Sequence, residues 1–486
     1  LPLGPTSYGD SPYQSFSTFA GNPYFIDLET LVKEGLLTEE ECDACDFGDN
    51  AEYIDYEKIY LSRFKVLRKA FERFAADDVY DAFVSENGYW LEDYALYMAI
   101  KDALGGISWS EWPAELKDRE EAALNQKREE LAEEVAFYKF QQFMFLKQWK
   151  ALKAYANEKG IRIIGDIPIY VAFDSADSWA HPELFQFDED NQPKAVAGCP
   201  PDAFSATGQL WGNPLYKWDY HKSTGYAWWL LRLAHVFKLY DTVRIDHFRG
   251  FDEYYAIPYG DKTAENGWWE KGPGIELFRT ISEKLGHREI IAEDLGFLTP
   301  EVHELVKNSG FPGMSILQFG FNPDANSDYL PHRVAENRVY YTGTHDNAPI
   351  MQWFAEASES ERRFAEQYLA LNAAEGINWG MIRGGMCSPA GIFIAQMQDV
   401  LGLSAEGRIN TPGVASGNWQ WRMLPHECSV ALAEKLRALE LHDCGEINYE
   451  HNSVVPREYC EKMPTHKNGT NCLFGLLRNI SIQSVK

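Results

Sequence analysis

The stretch Asp-Thr-Val-Arg-Ile-Asp-His-Phe-Arg-Gly, residues 241–250, has the pattern of a buried strand that ends in an acidic residue before a loop. The same layout recurs in Glu-Ile-Ile-Ala-Glu-Asp-Leu-Gly at 289–296 and in Arg-Val-Tyr-Tyr-Thr-Gly-Thr-His-Asp-Asn at 338–347. In a β/α barrel, the catalytic groups come from the C-terminal ends of several strands. The three segments therefore predict such a barrel, with an active site that contains Asp246, Glu293 and Asp346.

Three carboxyl groups at one rim could supply what retaining glycoside chemistry needs: a nucleophile, a proton donor and a group that stabilises charge. A single acid at a strand end would favour a structural role instead, such as capping the next helix. Here two of the three acids have a histidine neighbour, His247 or His345. A histidine N–H beside a catalytic carboxylate can bind a sugar hydroxyl, which favours the catalytic interpretation.

Composition excludes several classes of function. The net charge of −28 disfavours binding to nucleic acid and to anionic lipid, because both ligands require a basic surface. No run of residues approaches 18 consecutive apolar side chains, so we predict no transmembrane helix. The opening residues lack the basic and apolar regions of a signal peptide, so we expect a cytoplasmic protein.

Cysteine usage agrees with a reducing compartment. The eight cysteines are few for this length and scattered along the chain. Cys42 and Cys45 form the one close pair, without a second pair or a histidine at zinc-ligand spacing. We therefore expect reduced thiols and no structural zinc.

The chain divides into recognisable sections. Residues 1–25 are rich in turn-forming residues, and the pattern over about 26–160 is mainly helical, which predicts a helical insertion packed on the barrel. A strand is predicted over 161–169. The segment 172–225 that follows is predicted to be a long active-site loop region, because loops of that length in a compact domain are usually functional.

Beyond that loop, strands and helices alternate. The predicted elements are helix 226–240, strand 241–246, helix 275–285, strand 289–293, helix 300–308, strands 315–320 and 338–343, helix 358–371 and a strand over 392–399. This order is typical of an α/β protein with a parallel sheet. We predict a (β/α)8 TIM barrel with large, mainly helical insertions over 1–442, followed by a loose tail at 443–486.

Aromatic residues are abundant at 14% of the chain. Most aromatic side chains in any protein belong to its core. Trp211, Trp419 and Trp421 instead lie in polar, glycine-containing loops, where a flat ring is available to stack on the C–H face of a sugar.

Longer motifs accompany the three acidic segments. They are Leu-Pro-Leu-Gly-Pro-Thr-Ser-Tyr-Gly-Asp-Ser-Pro-Tyr-Gln-Ser at 1–15, Ala-Gly-Asn-Pro-Tyr at 20–24, Trp-Leu-Glu-Asp-Tyr-Ala at 90–95, Gly-Asp-Ile-Pro-Ile-Tyr-Val-Ala at 165–172 and Gly-Asn-Pro-Leu-Tyr at 212–216. With these motifs, the chain resembles the amylomaltase or disproportionating-enzyme family of 4-alpha-glucanotransferases, glycoside hydrolase family 77. The resemblance covers roughly residues 1–440.

The resemblance implies roles for the three acids. It makes Asp246 the nucleophile, Glu293 the general acid/base and Asp346 the acid that binds the distorted sugar and stabilises its positive charge. It also places Arg244 beside Asp246, where a fixed positive charge is expected to lower the pKa of that carboxyl group. The family requires no metal and no organic cofactor.

The resemblance also implies a set of sugar-binding residues. His247 and His345 would bind the reacting sugar, and Tyr13 would stack on it. Trp211, Asp202 and Gln209 would belong to a loop that folds over the glucan, and Tyr8 and Tyr60 resemble the tyrosines of a secondary glucan site.

These roles imply transfer of α-1,4-glucan segments between maltooligosaccharides or glucans derived from starch and glycogen. Chemistry alone leaves a hydrolase open, because water and a sugar hydroxyl react with the same intermediate. A third alternative is a non-catalytic glucan-binding fragment.

Two departures from the family pattern motivate that third alternative. The chain begins within what corresponds to the end of the second barrel strand, so we expect a barrel that lacks its first strand and helix. The segment 443–486 does not resemble the family. Both features are expected of a fragment or of a natural truncation.

Overall fold

The structure, a computed structural model, describes residues 1–201, 205–296, 298–323, 327–414 and 416–442. The predicted tail at 443–486 lies outside the described residues. The strands in the described part are β1 Ile164–Pro168, β2 Ala195–Cys199, β3 Gln209–Pro214, β4 Thr242–Asp246, β5 Glu253–Pro258, β6 Trp268–Lys271, β7 Ile290–Ala292, β8 Gly313–Ile316, β9 Arg338–Tyr341 and β10 Ile392–Ile394.

The α-helices lie between and before these strands. They are α1 Leu28–Lys33, α2 Glu39–Asp43, α3 Tyr56–Arg73, α4 Asp78–Ala103, α5 Ala114–Lys117, α6 Glu121–Glu130, α7 Ala132–Glu158, α8 Ala176–Ala180, α9 Trp218–Ser223, α10 Ala227–Leu239, α11 Ile275–Leu285, α12 Pro300–Ser309, α13 Ile350–Glu356, α14 Glu359–Leu369, α15 Ile377–Met386, α16 Met397–Leu401 and α17 Val430–His442.

Six of the strands are parallel and follow one another in chain order. The order β1-β4-β7 forms one sheet and β8-β9-β10 forms another. The N–H of Ala292, in β7, donates to the carbonyl oxygen of Pro312 at 2.9 Å, which joins the two sheets just before β8. Parallel neighbours in chain order, separated by helices, are the arrangement of a β/α barrel, as the sequence predicts.

The interior of this arrangement is apolar. Ile291, Met314, Ile316, Val339 and Tyr341 from β7, β8 and β9 form one buried cluster, and residues of β1 and β10 pack against it. Side chains that alternate along several strands and meet in one cluster are typical of the filled centre of a small barrel. The same alternation places the strand-end residues above this cluster.

Helices dominate the chain before β1. The mainly helical pattern predicted over about 26–160 corresponds to α1–α7. Local signals fix several ends: the side chain of Asp77 accepts a hydrogen bond from the N–H of Tyr80 at the start of α4, and α2 begins with a capping box. Throughout the described residues, no helix combines the length and the apolar character needed to cross a membrane.

The segment 172–225 differs from the prediction. It contains α8, β2, β3 and α9 instead of a plain loop. β2 pairs with β3 and with β5, and β5 pairs with β6, in one antiparallel sheet of order β3-β2-β5-β6. β2 and β3 are short and consist largely of small and polar residues, so they lack the apolar alternation by which strands are predicted.

Two predicted strands are shorter than expected. β8 ends at Ile316, where a 3₁₀ helix at Leu317–Phe321 begins, and β10 ends at Ile394, shortly before α16. Both runs continue to be apolar because the residues after each strand are buried in a second core around α13–α16. Because the residues before and after the end of each strand are equally apolar, the sequence pattern does not show where the strand ends.

Candidate active site

The three predicted acids lie at the ends of parallel strands. Asp246 is the last residue of β4, Glu293 directly follows β7, and Asp346 lies five residues after the end of β9. The register pairs Asp246 with Pro168, the last residue of β1. Because these strands run in the same direction, the three acids lie at one rim.

Arg244 organises the first part of the site. It is buried, and its Nη2 donates to Asp246 Oδ1 at 2.8 Å, while its Nη1 lies 2.8 Å from both carboxylate oxygens of Asp166. Asp166 also accepts a hydrogen bond of 2.6 Å from the hydroxyl of Tyr13. Arg244, on β4, therefore links two carboxylates from neighbouring strands and indirectly orients Tyr13.

Burial raises the pKa of Asp246 to about 7. The negative charges of Glu293, Asp166 and Asp346 act in the same direction, and Arg244 opposes them. Arg244 lowers this pKa as expected, but desolvation and three neighbouring carboxylates outweigh its single guanidinium group, so the net change is a rise.

Glu293 is bound by two backbone groups. Its Oε2 accepts a hydrogen bond from the N–H of His247 and its Oε1 accepts one from the N–H of Leu295, both at 2.8 Å. Burial raises the pKa of Glu293, and the charge of Asp294 adds to this effect, although Arg244 and the two N–H groups oppose it. A raised pKa favours the protonated form of the carboxyl group, which is the form that a general acid needs.

A tight turn at His247 brings a backbone N–H from the end of β4 to Glu293. His247 has φ of +53°, a left-handed conformation that is uncommon for residues other than glycine. In this conformation, its N–H donates to Glu293 directly after Asp246 ends β4. Burial lowers the pKa of the His247 imidazole to about 3, so the ring is neutral. Its Nε2 is buried without a hydrogen-bond partner among the described residues.

Asp346 is the most exposed of the three acids, with 45% of its side chain accessible. Its Oδ1 accepts a hydrogen bond of 2.6 Å from Asn410 Nδ2, and its Oδ2 lies 3.4 Å from Nε2 of His345. Burial lowers the pKa of His345. The ring of His345 stacks on Tyr13 with 5.2 Å between the ring centroids.

Asp246 and Asp346 open into one cleft with a cavity volume of about 440 Å³. One wall carries Trp211, whose indole meets the His247 ring edge to face at 4.8 Å and donates to Gln209 Oε1 at 3.1 Å. The predicted residues that line the cleft are Tyr13, Gln209, Trp211, Asp246, His247, His345 and Asp346. Aromatic rings beside carboxylates and imidazoles are suited to a sugar, which presents apolar faces and polar edges.

Not every predicted residue lines the cleft: Glu293, Arg244 and Tyr60 do not. Tyr60 is 55% exposed on α3, contacts Phe64 and is not among the residues that line the cleft. Asp202 lies outside the described residues, as does the side chain of Tyr8. Among the described residues, no group of three or more histidine, cysteine, aspartate or glutamate side chains is arranged to bind a metal ion.

Known proteins share this chain's sequence and fold. The 4-alpha-glucanotransferase family, glycoside hydrolase family 77, matches residues 1–427. The chain belongs to that family. The 4-alpha-glucanotransferase of Clostridium butyricum is 50% identical over 443 residues, covering 90% of this chain and 91% of the relative. That of Streptococcus pneumoniae is 49% identical over 441 residues, covering 90% and 87%.

A solved structure extends the likeness to the fold. The amylomaltase of Streptococcus agalactiae, in complex with acarbose, has a TM-score of 0.89 and 42% sequence identity, and the match covers 91% of this chain and 90% of that chain. The family resemblance inferred from the sequence is confirmed, and so is the TIM-barrel-like fold class.

Within this family member, Asp166 is a site residue that the sequence interpretation missed. It is 5% exposed and bonds to both Arg244 and Tyr13. It lies at the centre of β1, inside the Gly-Asp-Ile-Pro motif that carries the family resemblance. The signal was therefore present in that motif, although Asp166 does not follow the strand-end pattern of the other three acids.

Trp419 and Asn410 belong to a second wall of the cleft. Trp419 lies 5.9 Å from Tyr13 and 5.7 Å from His345, measured between ring centroids, and its φ is +64°. Its loop position pointed to a sugar-contacting role. Asn410 was missed because no local pattern distinguishes it. Trp421 instead forms an isolated bridge with Tyr53.

We expect Asp166→Ala to lower the free energy of unfolding by about 3 kcal/mol, because it leaves the buried Arg244 with one carboxylate partner in place of two. Urea unfolding followed by circular dichroism measures the change. Asp166→Asn is the matched variant, and it should lose less because it keeps a hydrogen-bond acceptor. An unchanged urea midpoint in Asp166→Ala would show that the ion pair between Asp166 and Arg244 does not stabilise the folded protein.

Proposed function

We propose that this member of the 4-alpha-glucanotransferase family transfers α-1,4-glucan segments between maltooligosaccharides, or between glucans derived from starch and glycogen, by double displacement at Asp246 and Glu293. The observation that carries the proposal is that Asp246, paired with Arg244 at 2.8 Å, is followed by His247, whose N–H donates to Glu293, a carboxyl group whose pKa is raised. Two neighbouring carboxyl groups with different partners are what a retaining mechanism requires.

The first step cleaves the donor. The negative charge of Glu293 raises the pKa of Asp246, and the reactive form has Asp246 ionised beside Arg244 and the proton on Glu293. Asp246 attacks the anomeric carbon, and the bond from that carbon to the leaving glycosidic oxygen breaks. Glu293 gives its proton to that oxygen, so the leaving sugar departs as a neutral alcohol and a β-linked glycosyl-enzyme forms.

The second step transfers the bound segment. The Glu293 carboxylate takes the proton from the 4-hydroxyl of an acceptor glucan, and that oxygen attacks the anomeric carbon. The ester bond to Asp246 breaks, Asp246 is again ionised, and the α-configuration is restored. The two backbone N–H donors keep the Glu293 carboxylate in place between the two steps.

The remaining cleft residues bind the sugar. Asp346, His345 and the neutral His247 present acceptors and donors to hydroxyl groups, and Asp346 also stabilises positive charge on the distorted ring. Tyr13 provides a ring for stacking against the same sugar. Trp211 and Gln209 cover the neighbouring sugars, with Asp202 and Tyr8 assigned to glucan binding and Tyr60 to a secondary site on the strength of the family resemblance.

Several finer expectations belong to this proposal. We assign α1–α7 to a helical insertion and residues 172–225 to an active-site region that contributes β2 and β3 to the antiparallel sheet. A barrel without its first strand and helix, a distinct tail at 443–486, a cytoplasmic location and independence of cofactors remain predictions from the sequence. So do the absence of nucleic acid partners and of membrane association.

The experiment that tests the function is incubation with maltotriose followed by chromatography of the products. Transfer of a maltosyl unit to a second maltotriose yields glucose and maltopentaose with no net gain of reducing ends. Hydrolysis yields glucose and maltose with a gain of one reducing end for each cleavage. We expect redistribution with little gain of reducing ends, because the aromatic walls favour a sugar over water on the acceptor side. Maltose and glucose alone would support a hydrolase, and no turnover would support a glucan-binding protein.

A further inference from the structure

Asp294, directly after Glu293, is one of the most deeply buried carboxylates in the described residues, with 1% of the residue exposed. Its Oδ1 accepts a hydrogen bond of 2.7 Å from the N–H of Met314, and its Oδ2 accepts one of 2.5 Å from Arg338 Nη1. The mechanism above makes no use of this residue. Its contacts nevertheless fix the backbone from which the Glu293 side chain extends.

Arg338 extends the contact across three strands. It lies at the start of β9, and it donates to the carbonyl oxygen of Met314 and, at 3.2 Å, to the hydroxyl of Ser315, both in β8. Asp294 and Arg338 therefore join the end of β7 to β8 and β9. These additional hydrogen bonds hold the Asp294–Arg338 ion pair in one geometry, because they orient both side chains.

Met314 connects this pair to the other half of the site. Its backbone N–H binds Asp294, and its Sδ lies 3.2 Å from Nε of Arg244, the residue that binds Asp246. The Asp294 carboxylate therefore holds the backbone next to Glu293 and also the backbone of Met314, whose side chain contacts Arg244.

Gly313 shows that the space around the pair is filled. A Cβ atom at this position would overlap Nη1 of Arg338 and Oδ2 of Asp294. The backbone at Gly313 does not have a positive φ, so an alanine fits the local conformation. Gly313→Ala therefore displaces the ion pair sterically while both charges remain, which separates the geometry of the pair from its charge.

We propose that Asp294 and Arg338 form a positioning pair that fixes Glu293 for proton transfer, an inference that rests on the proposed role of Glu293. A displacement of about 1 Å at a reacting group lowers a rate by about 10²-fold. Loss of the pair should therefore impair steps that need proton transfer from Glu293 more than steps that do not.

The experiment compares two donors with Asp294→Asn and Gly313→Ala. With maltotriose the leaving sugar needs a proton, whereas with α-maltotriosyl fluoride the leaving fluoride needs little assistance. We expect kcat/KM for maltotriose to fall by about 30- to 100-fold in both variants, and kcat/KM for the fluoride to fall by less than about threefold. Fluoride release is followed with an ion-selective electrode, and melting curves report the folded fraction.

The matched control is Asp174→Asn. Asp174 is also buried and forms an ion pair of 2.6 Å with Lys101, away from the residues that line the cleft. A purely structural role lowers both rates together, as expected for this control. Equal losses on both donors, or no loss, in Asp294→Asn and Gly313→Ala would overturn the proposal. Glu293→Gln separates a failure of the positioning pair from a failure of the proposed function. If Glu293→Gln loses activity equally on both donors, the acid/base role of Glu293 and with it the proposed function are wrong. If Glu293→Gln alone loses more activity on maltotriose than on the fluoride, only the positioning pair is wrong.

Discussion

Replacing Asp246 with asparagine is expected to lower kcat/KM for maltotriose by at least about 10⁴-fold, because an amide cannot form the glycosyl ester on which both steps depend. The side chain keeps its size, and Arg244 retains Asp166 as a partner, so the fold should remain intact. Product chromatography at high enzyme concentration measures the residual rate. Asp241→Asn is the matched control, since Asp241 directly precedes β4 at its opposite end, where it accepts a hydrogen bond from the N–H of Ile163.

A trapping experiment separates the nucleophile from other essential groups. A maltosyl fluoride with fluorine at C2 of the reacting ring slows both steps and allows a glycosyl-enzyme to accumulate. Mass spectrometry of peptides should place this label on Asp246 in the unmodified protein and on no residue in Asp246→Asn. A label that persists in the variant, or near-normal activity on maltotriose, would refute the assignment of the nucleophile.

Replacing Glu293 with glutamine should give the second largest effect. We expect a loss of about 10²- to 10⁴-fold on maltotriose, because proton transfer to the leaving oxygen is removed. Cleavage of α-maltotriosyl fluoride should be nearly preserved, and azide, which needs no base, should restore turnover by capturing the glycosyl-enzyme. Glu289→Gln is the control, because Glu289 lies just before β7, at the opposite end of that strand from Glu293. Equal losses on both donors would contradict the acid/base role.

The same variant makes a prediction about pH. The Glu293 charge raises the pKa of Asp246, so removing it lowers that pKa below its value of about 7 in the unmodified protein. Asp246 must be ionised to attack, and a lower pKa keeps it ionised at lower pH. The acidic limb of the rate profile for the fluoride should therefore move to lower pH in Glu293→Gln. A limb that stays in place, or moves to higher pH, would show that the two carboxyl groups do not interact.

The positions of the three acids could be predicted because topology alone determines them. A buried run that ends in an acid predicts where a strand stops, and parallel strands bring their C-terminal ends to one rim. Asp246 and Glu293 follow β4 and β7 in this way. No tertiary contact had to be known, since chain direction and strand order were sufficient.

The balance of charge within the site could not be predicted. Asp246 and Arg244 are two residues apart, but the second partner of Arg244, Asp166, is 78 residues away in sequence. The pKa of Asp246 depends on that partner, on Glu293 and on burial together. These contributions come from separate strands, and sequence spacing gives no measure of the distance between them.

The antiparallel sheet and the second wall of the cleft were concealed for a related reason. β2 and β3 have little apolar alternation, because β2 lies between β3 and β5 and is buried along nearly its whole length, whereas β3 is an edge strand of mixed exposure. Trp419 adopts a left-handed conformation that its sequence does not favour, and contacts from elsewhere in the chain maintain it. Such features follow from tertiary structure and leave no local pattern.

Those contacts have a consequence for building chimeric enzymes. The loop that carries Trp419 is bound to residues 52–56 by four hydrogen bonds: Ile54 N–H to the carbonyl of Gln420, Arg422 N–H to that of Glu52, and the hydroxyls of Tyr53 and Tyr56 to the carbonyls of Glu406 and Trp419. In each of these four hydrogen bonds, the acceptor is a backbone carbonyl oxygen. Anyone who grafts this loop from another amylomaltase to change acceptor preference therefore has to transplant residues 52–56 with it, although more than 350 positions separate the two segments in the gene.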